Sequence, residues 1–235
     1  MYYPMFYFDP TYILIVIGVV ICLLASMKVK RTFTKYSTVR SASGLTGRDA
    51  AEQILHGAGI YDVRIEHVRG NLTDHYDPRA KVLRLSDATY HSQSVAAIGV
   101  AAHGCGHAIQ HATNYAPLTI RGAIEPIANF GSAIAWPLIL IGHLFNTQSS
   151  ALFLNLGILA FSAAVLFQII TLPVEFNASG RAIRILRGTG LLRKEEVDSA
   201  KKVLSAAALT YVAGALSSIL QLLRILILTG GRRND

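Results

Sequence analysis

The chain has 235 residues, 52% of them hydrophobic and 15% charged, with a formal net charge of +8. It is too apolar and too poor in charge for an ordinary soluble domain, so the composition points to a membrane protein. The positive charge does not imply a nucleic-acid partner, because the basic residues cluster beside apolar stretches, where topology and anionic lipid account for them.

Four stretches, about 11–27, 123–145, 151–173 and 204–228, are apolar enough, or nearly so, to cross a hydrocarbon core that takes roughly 20 helical residues. The first is short, and a cleaved signal peptide is its alternative. The residues before it include Asp9 but no Lys or Arg, whereas a signal peptide needs a basic leading region. Positive charges follow it instead, at Lys28, Lys30, Arg31, Lys35 and Arg40. By the positive-inside rule the N-terminus lies outside and the next segment in the cytoplasm. Tyr2, Tyr3, Phe6, Tyr7, Phe8 and Tyr12 fit an interfacial aromatic belt at the outer face. Cys22, inside this span, and Cys105, far from it in sequence and setting, are not expected to pair.

Only residues 41–120 have the composition of a soluble domain. Thr46 followed by Asp49 resembles a capping box, so a short amphipathic helix is predicted to run to His56 and stop at Gly57 and Gly59. Residues 63–68 and 81–86 alternate apolar with polar, the pattern of half-buried strands, and 71–78 between them reads as a loop. Ser86 is a candidate N-cap, and about 93–112 form one mostly small, apolar helix. Gly104 and Gly106 inside it each cost about 1 kcal/mol relative to Ala, so surroundings or a metal must hold that helix.

This helix carries His103-Gly104-Cys105-Gly106-His107, which nearly spells the zinc-hydrolase pattern H-E-x-x-H. Residues four apart share a helix face, so the two imidazoles can meet one ion. Two histidines four apart also occur by chance, each simply hydrogen-bonded in a core. An unpaired imidazole in so apolar a helix is costly, which favours ligation, and His111 continues the face one turn later.

The polar break at 146–150 is short and uncharged, so the second and third spans read as a hairpin with its tip outside, entered at Arg121 and left at about Pro173. Glu175 then emerges on the motif's side of the membrane. It is the best third ligand for a site that needs three protein groups and one open position. An equal alternative pairs it with Arg181 or Arg184. The basic connector 177–202 agrees with a cytoplasmic placement. The last span is interrupted by Gln221 and Arg224 and followed by Arg232 and Arg233, so a re-entrant or interfacial helix stands beside a full crossing.

The stretch Val100-Ala-Ala-His103-Gly-Cys-Gly-His107-Ala-Ile-Gln110-His111, taken with Leu172-Pro-Val-Glu175-Phe-Asn177-Ala-Ser179, resembles the bacterial family of neutral, membrane-bound zinc metallopeptidases. That family pairs an H-E-x-G-H-A-x-Q-H helix with a P-V-E-F-N-A-S segment, and Tyr76-Asp77-Pro78 and Leu83-Arg84-Leu85-Ser86 resemble its strand region. The resemblance implies that His103, His107 and Glu175 hold one zinc ion and that the reaction is peptide-bond hydrolysis. The chain departs from the pattern at Gly104, where the family has the general-base glutamate, so little or no turnover is expected even with zinc bound. Asn177, Ser179 and Arg181 are candidates to orient Glu175 or meet a substrate carbonyl, or they simply cap and solvate a helix. Tyr90, His91 and His111 are candidates to stabilise an oxyanion, and 81–86 is a candidate sheet edge for an extended peptide.

The sequence therefore predicts an α-helical membrane protein of about four transmembrane helices with a small α+β zincin-like cytoplasmic portion. The division is an anchor at 1–27, a zincin-like portion at 28–122, a hairpin at 123–173, a cytoplasmic segment at 174–203 and a last helix and tail at 204–235. The expected location is a bacterial cell (inner) membrane, and the expected partners are membrane lipid and a polypeptide substrate, membrane proteins included. The alternative function is a native pseudoprotease that acts as a zinc-binding scaffold or binds segments.

Overall fold

The computed structural model describes residues 9–144 and 150–230. The aromatic residues Tyr2, Tyr3, Phe6, Tyr7 and Phe8, most of the polar break at 146–149, and Arg232 and Arg233 lie outside the described residues. Among the described residues, four helices are long and apolar enough to cross a membrane: α1 (Tyr12–Ser37), α5 (Ala116–Leu144), α6 (Ser150–Thr189) and α7 (Lys194–Gly230). Between α1 and α5 come α2 (Gly47–Gly57), β1 (Arg64–Val68), β2 (His75–Asp77), β3 (Val82–Ser86), α3 (Asp87–Tyr90) and α4 (Val95–Ala112). The chain is thus a helical membrane protein with a small α+β portion.

It divides into two compact units, and α1, α5, α6 and α7 each contribute to both. One unit comprises 9–24, 122–144, 150–169 and 212–230 of the described residues. Here α7 runs antiparallel to α1: Asp9 Oδ2 accepts from Arg224 Nη2 at 3.1 Å, and Cys22 Sγ faces the Ala213 carbonyl at 3.6 Å. The Arg224 guanidinium also stacks over Tyr12, 4.3 Å from the ring centre. α7 is one continuous helix, without the turn that a re-entrant segment requires. Ala135, Phe161, Val165 and Ile225 form the core of this unit, while Val16, Leu23, Phe130, Leu159 and Leu226 point outward. So much exposed apolar surface suits lipid, not water.

The second unit comprises Ala25–Arg121 and Ile170–Tyr211. The capping box forms as the sequence predicts: Thr46 Oγ1 accepts from Asp49 N at 3.1 Å, and Asp49 Oδ2 accepts from Thr46 N at 3.2 Å. α2 buries Ala50, Ala51, Ile54 and Leu55, and the chain leaves it through Gly59, whose φ of +73° suits glycine.

Three expectations change. Residues 71–78 are not all loop, because β2 forms within them and pairs antiparallel with β3. β3 is not a sheet edge: the order is β1-β3-β2, with β1 parallel to β3. Leu83 and Leu85 are buried as the alternation predicts, and Val82 and Ser86 on the opposite face are buried as well. Ser86 precedes the short α3, and it is Ser94 that caps the long helix, accepting from Ala97 N at 3.1 Å.

Leu83 and Leu85 pack with Ile98, Ala101 and Cys105 of α4, joined by Ala182 and Leu186 of α6 and Val197 and Ala200 of α7. α4 meets α6 and α7 through glycine. A Cβ on Gly99 would lie 3.2 Å from Ala200 Cβ, and one on Gly106 would lie 2.5 Å from the Ala178 carbonyl oxygen. The backbone of α6 thus rests on Gly106 itself.

Helix propensity alone makes every interior Gly→Ala change stabilising by about 1 kcal/mol. At Gly180, where an added Cβ meets nothing within 4 Å, Ala is expected to raise the unfolding midpoint. At Gly106 the sign is expected to reverse, with Ala costing about 1–3 kcal/mol through overpacking. Thermal unfolding of the two variants in detergent checks this.

Candidate metal centre

His103 and His107 sit one turn apart on α4, and Glu175 sits on α6 three residues before Ala178, where α6 rests on Gly106. The crossing therefore aims the carboxylate at the imidazole pair. His103 Nε2 and His107 Nε2 are 3.1 Å apart, and Glu175 Oε2 lies 3.2 and 3.4 Å from them. Ligand atoms about 2.0–2.1 Å from a tetrahedral zinc stand about 3.3–3.4 Å apart, so this triangle has the right size. Its three atoms are about 1.9 Å from the point equidistant from them, so all three could reach one ion. Among the described residues this is the group of His, Cys, Asp and Glu side chains that could hold a metal.

The hydrogen-bond network decides which atoms face the ion. Arg181 Nε can only donate, and it donates to Asn177 Oδ1 at 2.8 Å. The same oxygen accepts from Gln110 Nε2 at 3.0 Å, and Gln110 Nε2 also donates to the Val174 carbonyl at 2.8 Å. The Gln110 amide is thereby oriented with Oε1 toward His107 Nδ1, 3.0 Å away, which must donate. His107 is left with a bare lone pair on Nε2, the tautomer a metal ligand needs. Ser179 Oγ stands 3.1 Å from His103 Nδ1 and supports the second ring.

Burial holds His103 below the ordinary imidazole range, against the opposing pull of Glu175, so this ring is neutral at neutral pH. Glu175 Oε2 is buried without a hydrogen-bond donor. Two imidazole nitrogens and a carboxylate oxygen converging in a buried space leave lone pairs that a cation would satisfy. The donor set, two imidazoles and a carboxylate, is one that zinc takes.

The structure places the remaining candidates differently from the sequence reading. Asn177, Ser179 and Arg181 do not hold Glu175: Ser179 bonds His103, and Asn177 and Arg181 orient Gln110. Arg184 Nε donates to the Gly180 carbonyl. Glu175 pairs with Arg121, whose Nη1 donates to Oε1 at 3.2 Å, and the Tyr211 hydroxyl also reaches its carboxylate. His111 Nδ1 shares a hydrogen bond with the Tyr76 hydroxyl at 2.9 Å, and burial pushes that phenol up to about 12, so it stays protonated. Tyr90 and His91 stack edge-on with each other, and His67 packs against both rings. Cys105 is fully buried, its thiol pushed up by burial and directed at the Ala51 carbonyl.

Sequence reasoning gave Gln110 and Arg121 no part in the site. Gln110, a polar residue in an otherwise apolar helix, was the available signal. Arg121 served only as a topology marker, and no local pattern ties it to a residue 54 positions away.

Gly104 also faces a neighbour. A Cβ there would lie 2.5 Å from Leu83 Cδ1, so a β3 methyl fills the space where a side chain would begin.

A helical membrane protein that brings an H-x-x-x-H pair and a carboxylate from a second helix together has the donor set of a zinc hydrolase. The chain belongs to the family described as "putative neutral zinc metallopeptidase", whose model matches residues 11–230. It is 51% identical over 209 residues to the "Putative membrane protease YugP" of Bacillus subtilis (strain 168), covering 88% of this chain and 92% of that protein. No solved structure matches.

Gln110→Met removes the amide that orients His107 while keeping similar volume. It is expected to lower zinc affinity about 10–100-fold, as loss of an outer hydrogen-bond partner typically does. Competition against a chromophoric chelator measures it, with His103→Ala as the non-binding reference.

Proposed function

We propose that this chain is a membrane-bound zinc metallopeptidase scaffold that holds one ion with His103, His107 and Glu175 at the cytoplasmic membrane face. We propose further that it turns over little or no peptide, because Gly104 stands where the general base belongs. The observation that carries the metal reading is the triangle of ligand atoms, with edges of 3.1, 3.2 and 3.4 Å, matching a tetrahedral ion. The protease class rests on family membership and on the curated relative.

Zinc held there supplies Lewis-acid polarisation of a substrate carbonyl and a more acidic bound water. Moving the water's proton to the leaving amine needs a side chain at the position after the first histidine, and glycine has none. Neighbouring groups do not replace it: Cys105 is turned to Ala51 and His111 is engaged with Tyr76. Such proton transfer is typically worth about 10²–10⁴-fold in rate. With β3 central, an extended polypeptide substrate would pair with one of the outer strands, β1 or β2, instead.

Leu83 favours a second reading. Its methyl closes the space above Gly104 with apolar packing, as suits a native pseudoprotease that binds polypeptide segments or scaffolds a membrane complex.

The test is Gly104→Glu, alone and with Leu83→Val to make room, assayed on an unstructured peptide. Chelator-sensitive cleavage about 10²–10⁴-fold above the original chain supports the peptidase scaffold. No cleavage by either variant with zinc bound supports the pseudoprotease.

The cytoplasmic placement follows the basic residues Lys28, Lys30, Arg31, Arg184, Arg187, Lys201 and Lys202, all in the unit that carries the histidines. A reporter inserted between α6 and α7 is expected to show cytoplasmic activity, and an external signal would reverse the orientation.

A further inference from the structure

The two oxygens of Glu175 have unlike surroundings. Oε2 faces the two imidazole nitrogens, while Oε1 accepts from Arg121 Nη1 at 3.2 Å. The Glu175 side chain is only 4% exposed and that of Arg121 29%, so the pair is largely shielded from water. We propose that Arg121 is a positioning residue of the metal centre: it occupies Oε1, so that Glu175 offers one oxygen and a coordination position stays open. This rests on the zinc-site reading above.

A carboxylate can bind a metal through one oxygen or through both. If both oxygens of Glu175 turned to the ion, the second would compete for the position a catalytic site must leave to water or substrate. The guanidinium blocks that rotation with a donor and a fixed positive charge. A planar, always-charged group does this better than a flexible ammonium. Arg121 also offsets the charge of Glu175, so a bound divalent ion keeps its net positive charge and its polarising power.

The chain brings Arg121 there through a tight reversal. α4 ends at Ala112 and Asn114 takes φ of +50°, a region Asn tolerates better than most residues. Tyr115 N then bonds the Gln110 carbonyl at 2.9 Å, and α5 starts at Ala116. Arg121 thus lies barely more than one turn into α5. The two arginines nearest to Glu175 in sequence are committed elsewhere, Arg181 to Asn177 and Arg184 to a backbone carbonyl.

The experiment uses the full chain in detergent, stripped of metal and titrated with Co²⁺ alone, with Zn²⁺ affinity obtained by competition. Arg121→Met is expected to lower zinc affinity about 10–100-fold, and to weaken the visible cobalt absorption as coordination rises above four. Arg121→Lys is expected to recover part of both. Helical circular dichroism of the metal-free variants identifies those that fold. Unchanged affinity and an unchanged cobalt spectrum in every variant that folds overturn the proposal. If the original chain binds Co²⁺ no better than His103→Ala, the metal-site reading itself falls, which is a separate outcome.

Discussion

The candidate site depends on one close approach, the backbone of α6 resting on Gly106 of α4. With any Cβ at 106 placed 2.5 Å from the Ala178 carbonyl oxygen, the two helices could not sit so near. A larger separation would draw Glu175 away from the histidines, because it lies less than one turn from that contact. Interior glycine is a poor helix former, so α4 contains residues that weaken it in isolation. Packing against α2, β3, α6 and α7 returns that stability, and the same packing fixes the ligand geometry.

Gln110 is the polar counterpart of that crossing. It is fully buried, which would cost free energy if any of its groups were unmatched. Instead it donates twice, to Val174 and Asn177, and accepts from His107. The order of the chain is informative, since an obligate donor, Arg181, orients Asn177, which orients Gln110, which fixes the proton on His107. A buried network satisfied in one sense only is stiff, and it selects one tautomer out of two. Arg121 plays the analogous part for the carboxylate, so both the imidazole and carboxylate ligands are steered from behind.

Much of this was legible in the sequence where the signal is local. The i,i+4 histidines, the Thr46–Asp49 capping box and the apolar runs are patterns within one element, and each formed. β2 was missed because three residues give too short a period to detect, and without it β3 looked like an edge. The third ligand was only an even choice by spacing, since a lone Glu175 beside Arg181 and Arg184 could as well have been an ion pair. The family resemblance, not the spacing, favoured it. Ser179 was named as a site candidate, but its partner His103 and the part of Arg121 were out of reach, because they are set by how helices cross, and no one-dimensional pattern records a crossing.

The proposed metal holding and the proposed loss of proton transfer are separable because positions 106 and 104 lie on different faces of α4. Residues 104 and 106 are about 200° apart around the helix. Gly106 faces α6 and governs where Glu175 lies, whereas Gly104 faces β3 and meets Leu83. A change at 104 therefore perturbs the strand side and leaves the crossing with α6 in place. The leucine terminus is a flexible group that can swing, but the Ala178 carbonyl belongs to a helix backbone that cannot. The proposed ligand set is thus bound to an interface that tolerates no side chain, and the missing base to one that can be reopened.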